Sequence, residues 1–373
     1  MADNSIGRKF RISSFGESHG KIIGVLIDGI PAGLDLNLEF IQNELNKRKP
    51  GQSKLTTERK EDDEFTILSG IFNNKTTGAP ICLVIENKDK DSSKYEKFKH
   101  ILRPSHVDYS ALKRYGGFAD FRGSGRFSGR ITAGFVMAGA IAKQILNLLD
   151  INMIAYTQSI GEIEDFENYE SHDIRKLMEK REKSLARTLN PKISEKMELL
   201  IQNIKNQKDS LGGTIQCLVK NFPAGVGGPV FNSLESDLAK GIFSIPAVKG
   251  IEFGAGFKSA KMKGSEHNDP WKVDNNSITT TKNDSGGIIG GISTGMPISF
   301  RVAIKPTASI GKKQKTVDIK NMKNIELELE GRHDPCILPR AVVIVEAITS
   351  VILVDHLICQ GKIPEIINND EAN

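Results

Sequence analysis

The chain has 373 residues, 38% hydrophobic and 26% charged, which supplies a substantial core and excludes a disordered polar chain. Its net charge of +5 admits a small anionic substrate but falls short of the dense basic stripe of a nucleic-acid binder, and 6% aromatic residues offer few stacking platforms. Four scattered cysteines (Cys82, Cys217, Cys336 and Cys359), without CxxC or CxxH spacing, argue against a disulfide framework or a zinc site, so a reducing cytoplasm and no metal are expected.

The opening MADNSIGRKF has no apolar h-region, so no secretory signal is expected. Residues 22–28 read as a buried strand and 30–33 as the turn after it. The spacing of Phe40, Ile41 and Leu45 predicts a helix ending in a basic cluster ahead of Pro50. A polar loop follows to residue 64, then strands at 65–71 and 81–86, then a second polar loop over 87–102. Arg103-Pro104 favours an extended segment or turn, because proline disfavours helix at the residue before it. A glycine–arginine loop over 116–130 leads into a helix from Ile131 to about Leu149, whose small residues let another element approach closely.

Segment 161–209 is highly charged and reads as two surface helices split near Asn190-Pro191. Strand signals return at 213–219 and 298–304, the latter alternating with period two. The longest apolar stretches, 131–142 and 341–358, read as buried helices and not as membrane spans: the first is too short, and the second carries Glu346 and Asp355. GVLIDGIPAG (24–33) and QCLVKNFPAG (216–225) echo each other, as a duplicated half-sheet or as two similar turns. Without a low-complexity linker, one domain over 1–373 is expected, with loop insertions at about 47–64, 87–102 and 161–209.

Five segments carry chemistry. FGESHG (15–20) puts Glu17, Ser18 and His19 on a glycine-hinged turn, either as a capped turn with an exposed imidazole or as a proton-handling site. RPSHVDY (103–109) sets His106 between an arginine and an aspartate, an ion pair on the surface or a site for phosphate or carboxylate. RGSGRFSGR (122–130) packs three arginines among glycines at a helix N-terminus. That is an anion site or a flexible basic loop, and arginines so close together repel unless an anion neutralises them. It lacks the GK[ST] ending of a Walker A loop and the spacing of a dinucleotide fingerprint. The glycine-rich run 285–295 allows backbone to lie along a flat ligand or a neighbouring strand, and Lys305-Pro306-Thr307-Ala308-Ser309 offers phosphate donors. GRHDPC (331–336) precedes the long apolar helix, whereas His100, His172 and His356 read as structural or solvated. These segments predict one large site for a multiply charged anion, with proton-transfer groups.

Taken together, FGESHG, RPSHVDY, RGSGRFSGRITAG, SIPAVKGIEFG, GSEHND, GGIIGGISTG, KPTAS and GRHDPCILPRAVVIVEA resemble the chorismate synthase family, in its order, from residue 6 to about 358. The resemblance implies an α/β (α+β) β-α-β sandwich of two antiparallel sheets with helices between and around them, and a homotetramer. It implies a carbon–oxygen lyase of the shikimate pathway of aromatic amino-acid biosynthesis. That enzyme removes phosphate and a C6 proton from 5-enolpyruvylshikimate 3-phosphate by 1,4-anti elimination, giving chorismate. The family requires reduced FMN without net redox change, the flavin lending an electron transiently or otherwise assisting C–O cleavage. NADPH is then an indirect reductant, through the protein's own activity or through an external flavin reductase; the charged 161–209 segment does not look like a reductase module, which favours the external one.

By the same resemblance, His106 is the acid at the leaving phosphate, His19 serves the flavin, and Asp334 is the base acting through it. Ser18, Arg48, Arg103, Arg130 and Arg332 would bind substrate. Arg126, Phe127, Ser128, Pro246, Ala247, Gly290, the run Lys305, Pro306, Thr307, Ala308 and Ser309, and Arg332 would bind FMN; Arg48 and Lys54 are candidates for NADPH. The chain departs from the family pattern in reading Arg126-Phe127-Ser128-Gly129-Arg130-Ile131 where many members have Arg-Ser-Ser-Ala-Arg-Glu, in Lys54 for a common arginine, and in Ala308 for a common serine. From the residues alone, two other readings stay open. A histidine–arginine phosphatase or phosphotransferase would lack flavin dependence, and a polyanion-binding protein would bind RNA with steep salt dependence.

Overall fold

Two helices that are apolar on every side take the centre of the fold, because such a helix has no face to offer to water. They are Thr132–Asn147 and Leu338–Cys359. A Cβ at Gly139 would lie 2.3 Å from the Cα and Cβ of Ala347, so the two backbones touch where the helices cross and only glycine fits there. Leu338–Cys359 is the one described helix long and apolar enough to cross a membrane, and 89% of its apolar window is buried inside the protein. The computed structural model describes residues 3–52, 55, 62–88, 93–96, 99–274, 276–329 and 334–367.

An antiparallel five-stranded sheet covers each side of the helix pair. The first has the order Ser5–Ile6, Arg11–Gly16, Ile22–Asp28, Ile81–Glu86, Phe65–Ser69. The second has the order Val248–Phe253, Ile298–Ile304, Gly213–Lys220, Asn152–Ile160, Ile163–Glu164. Alternate residues of the first sheet, such as Ile23, Val25 and Ile27, are fully buried, and one continuous apolar cluster joins both sheets to the helices.

The topology decides between the two readings of the sequence echo. Four strands in each half stand in the spatial order first, second, fourth, third of their chain order. These are Arg11–Gly16, Ile22–Asp28, Phe65–Ser69 and Ile81–Glu86 in one half, and Asn152–Ile160, Gly213–Lys220, Val248–Phe253 and Ile298–Ile304 in the other. A helix follows the second strand in both (Leu38–Arg48; Leu234–Phe243), and a core helix follows the fourth. The Pro-Ala-Gly turns leave the second, central strand each time, so the echo marks two halves of one plan.

The charged segment splits as its residues suggest: Ile174–Lys183 and Pro191–Asn206 flank Asn190, whose side chain caps the second helix. They are not merely surface helices. Leu177, Met197 and Ile201 are buried, and Arg181 reaches Glu346 on the core helix. Glu346 also receives Lys143 and the backbone N–H of Ala155, so the charge that interrupts the apolar run is fully paired in the interior. Burial would raise its pKa, but Arg181 and Lys143 hold it down, at about 2.

Candidate active site

The loops at one end of the sandwich enclose a cavity of about 650 Å³, within the usual range of about 300–1,000 Å³ for small-molecule and cofactor sites. Among the described residues its cationic lining comes from Arg48, Arg126, Arg130, Lys305 and Arg340, against one carboxylate, Asp334. Its apolar bed is Phe127, Pro246, Ala247, Ile337, Ala341 and Ile344. Ser105, Ser124 and Ala247, all lining it, have left-handed backbone at φ of 58°, 67° and 74°. Such strained residues concentrate at functional sites.

The arginine loop does not wait for an anion to neutralise it. Arg122 is paired with Asp120, away from the cavity, at 2.9 Å. Arg126 donates to the carbonyls of Gly16 (2.9 Å) and Ser14 (3.1 Å), and burial lowers its pKa. Arg130 is paired with Asp63 and donates through Nε to Asn87 Oδ1 at 3.0 Å. Arg48, at the end of Leu38–Arg48, donates to the other oxygen of Asp63 (3.0 Å), to the Gly129 carbonyl (2.9 Å) and to Thr132 Oγ1 (3.2 Å). Burial works against the Asp63 carboxylate, but Arg48 and Arg130 outweigh it and hold its pKa below the usual range.

His106 sits on the wall with both ring nitrogens engaged. Nδ1 lies 3.1 Å from the Pro104 carbonyl and Nε2 lies 3.0 Å from Ser309 Oγ. A carbonyl only accepts, so the proton of the neutral ring is on Nδ1 and Nε2 accepts from Ser309. Burial, with Arg103 and Lys305 nearby, pushes the imidazole pKa below its ordinary value. Arg103 does not line this cavity: its fork is bidentate on Asp108, at 2.9 and 2.7 Å, and also reaches Ser124 at 3.0 Å. Lys305 reaches the Ser105 carbonyl at 2.9 Å; Asp334 is paired with Arg340, whose Nε donates to the Arg48 carbonyl at 3.0 Å.

FGESHG lies behind the arginine loop. Ser18 and His19 are buried, and neither is among the residues lining the cavity. A Cβ at Gly123 would stand 2.2 Å from His19 Cδ2 and 2.9 Å from Ser18 Oγ, so the glycine is what lets the loop close over the turn. Asn87 ties the same turn to the site: its amide donates to the carbonyls of Glu17 and Gly20 while its oxygen takes Arg130. Ser128, Pro306, Thr307 and Ala308 line the cavity, whereas Gly290 turns a hairpin outside it. Arg332 and Lys54 lie outside the described residues. Asp63, Asn87 and Thr132 carry no signal in the sequence because each acts on a partner distant in the chain, and Arg340 joins nearby Asp334 to the distant Arg48 carbonyl. Among the described residues no group of three or more His, Cys, Asp or Glu could hold a metal.

A basic cavity at the end of a two-sheet sandwich, with an imidazole and a carboxylate on its walls, defines an enzyme for small polyanions. The family model for chorismate synthase matches residues 10–358, and the chain belongs to that family. Similar relatives are the chorismate synthases of Dehalococcoides mccartyi (52% identity; 98% of this chain, 99% of the relative) and Korarchaeum cryptofilum (48%; 96% and 98%). A crystal structure of chorismate synthase matches with a TM-score of 0.74 and 29% identity, over 95% of this chain and 93% of that one. The α/β fold of helices and antiparallel sheets is therefore the family's, and the activity is its carbon–oxygen lyase reaction in aromatic amino-acid biosynthesis, yielding chorismate.

Proposed function

We propose that the basic cavity binds 5-enolpyruvylshikimate 3-phosphate together with reduced FMN, and that His106 and Asp334 handle the protons of the elimination. The observation that carries this is five cationic side chains and one carboxylate, among the described residues, around an apolar bed. FMN fits on a separate ground. Thr307 Oγ1 is a buried hydroxyl on the cavity wall with no hydrogen-bond partner, the kind of orphan that a ligand phosphate satisfies. Lys305 and Thr307 would hold that phosphate; Ser309 already serves His106. Arg126, Phe127, Ser128, Pro246 and Ala247 would line the ring system. When bound and reduced, FMN supplies electron density that assists cleavage of the C–O bond.

The residues do the rest. Phosphate leaves readily only with its charge offset, and Arg48 and Arg130 present fixed guanidinium groups for it and for the substrate carboxylates. A bound dianion would oppose the burial and the Arg103 charge that keep His106 neutral, so substrate itself would load the proton that Nε2 then gives to the leaving oxygen. Asp334, braced by Arg340, is the acceptor on the C6 side. Ser18 and His19 act on this site from behind the arginine loop. The nearly complete burial of the Arg48 side chain favours substrate over NADPH as its ligand.

The reductant would come from a separate flavin reductase, since 161–209 folds as helices packed on the second sheet and not as a nucleotide-binding unit. A cytoplasmic homotetramer is what the family resemblance implies, and exposed Phe231 and Phe257 are apolar surface that a neighbouring subunit would cover. The test is an anaerobic assay of chorismate and phosphate with oxidised or reduced FMN, on wild type and His106→Ala. Equal products with reduced FMN alone, and a rate lowered ~10²–10⁴-fold in the variant, are expected. Phosphate without chorismate would mean a phosphatase, and wild-type turnover in the variant would remove His106 from the reaction.

A further inference from the structure

The geometry points to Asp63 as the positioning residue that aims Arg48 and Arg130 side by side into the cavity, an inference that rests on the reading of those two arginines as substrate clamps. Its side chain is 0% exposed, while those of Arg48 and Arg130 are 4% and 8% exposed. One carboxylate oxygen takes Arg48 Nη1 at 3.0 Å and the other takes Arg130 Nη1. Each guanidinium is then fixed from a second side. Arg48 is held by the Gly129 carbonyl and Thr132 Oγ1, and Arg130 by Asn87. Asn87 in turn grips the turn that carries Ser18 and His19.

Two like charges brought together on one wall repel, and two long side chains lose rotamer freedom when a ligand orders them. A buried carboxylate between them removes both obstacles before substrate arrives, at the cost of offsetting part of the positive field. The two effects have opposite signs for an anionic ligand, which makes the role measurable. If orientation dominates, removing the carboxylate weakens anion binding. If Asp63 is only a counter-ion, removing it strengthens binding.

The experiment compares Asp63→Asn, Thr132→Val and Arg130→Lys in the full chain loaded with FMN. It reads KM and kcat with reduced FMN, competitive inhibition by inorganic phosphate, FMN affinity and thermal stability. Asp63→Asn is expected to raise substrate KM and the phosphate inhibition constant together, by about 10–100-fold, with FMN affinity unchanged. Thr132→Val, which loosens Arg48 without altering charge, should raise KM severalfold in the same direction. A lower or unchanged KM in folded Asp63→Asn overturns the inference. If that variant does not fold, an unchanged KM in Thr132→Val overturns it instead. Arg130→Lys separates the two levels: unchanged KM there sinks the clamp reading, whereas raised KM there with no effect of the other two sinks only Asp63.

Discussion

Gly123→Ala tests the contact between the arginine loop and the turn that carries His19. The added methyl would start 2.2 Å from His19 Cδ2 and 2.6 Å from Nε2. Ordinary contact begins at 3.4 Å, so the ring would have to retreat by about 1.2 Å. The retreat is opposed, because the ring of Tyr95 stands edge-on with centroids 5.0 Å apart and His19 is 6% exposed. The backbone adds a local penalty: φ at Gly123 is 56°, a left-handed conformation costing about 1–2 kcal/mol for a residue with a Cβ. A misplacement of this size at a reacting group costs ~10²-fold in rate. The expected result is therefore a chorismate-forming kcat reduced about a hundredfold in a protein that remains folded. Gly264→Ala is the control, since a methyl there meets nothing within 4 Å. The assay is anaerobic turnover with reduced FMN beside a thermal melt of each variant. A folded Gly123→Ala enzyme with kcat within about twofold of wild type would refute the reasoning, and with it the importance of where His19 is held.

Thr307→Val removes a buried hydroxyl that has no partner, so it should leave the flavin-free melting temperature level or slightly raised while weakening FMN binding about tenfold. A fall in melting temperature with unchanged FMN affinity would show the hydroxyl to be structural. Glu346→Gln removes the fully buried carboxylate shared by Lys143 and Arg181, leaving them Glu44 and Glu182, and should cost about 3 kcal/mol in urea unfolding. A loss under about 1 kcal/mol in that variant would contradict the buried network. His106 and His356 are both held below the ordinary histidine pKa, chiefly by burial. Their unfolded forms therefore bind protons more readily: stability is full above about pH 6.5 and declines as pH falls from there through the folded values. The decline is at most ~1.4 kcal/mol per pH unit for each histidine, and His356→Asn should flatten it. A urea midpoint that rises on acidification from pH 7 would reverse the sign.

The sequence was legible where one element carries its own reason. Ile22–Asp28 is legible from its nearly unbroken apolar run and Ile298–Ile304 from its period-two alternation, and Asn190-Pro191 is a helix start in itself. It was illegible where a charge answers to something distant. Arg181 lies in a segment that reads as solvated helix, yet its partner Glu346 is 165 residues away in the core. Three clustered arginines predict a ligand-neutralised loop, yet Asp120, Asp63 and backbone carbonyls already satisfy them. Asp63 sits in a polar stretch with no local signal that it would be buried.

The duplicated plan explains why a site forms where it does. In each half the connection from the fourth strand to the core helix is long: 87–131 in the first and 305–337 in the second. These equivalent connections bear the segments with the chemistry, RPSHVDY and the arginine loop in one, KPTAS and Asp334 in the other. They are bound to each other: Leu102 N donates to the Val317 carbonyl at 3.2 Å, and Ile319 N donates to the His100 carbonyl at 2.9 Å. Lys305 reaches the Ser105 carbonyl, and His106 meets Ser309. Packing the two core helices against each other at Gly139 and Ala347 brings both connections to one end of the sandwich. The cavity lies between these two crossovers, with Arg48 and residues 243–248 adding to its lining. Its histidine comes from the first and Lys305 and Thr307 come from the second, an arrangement that neither half could assemble alone.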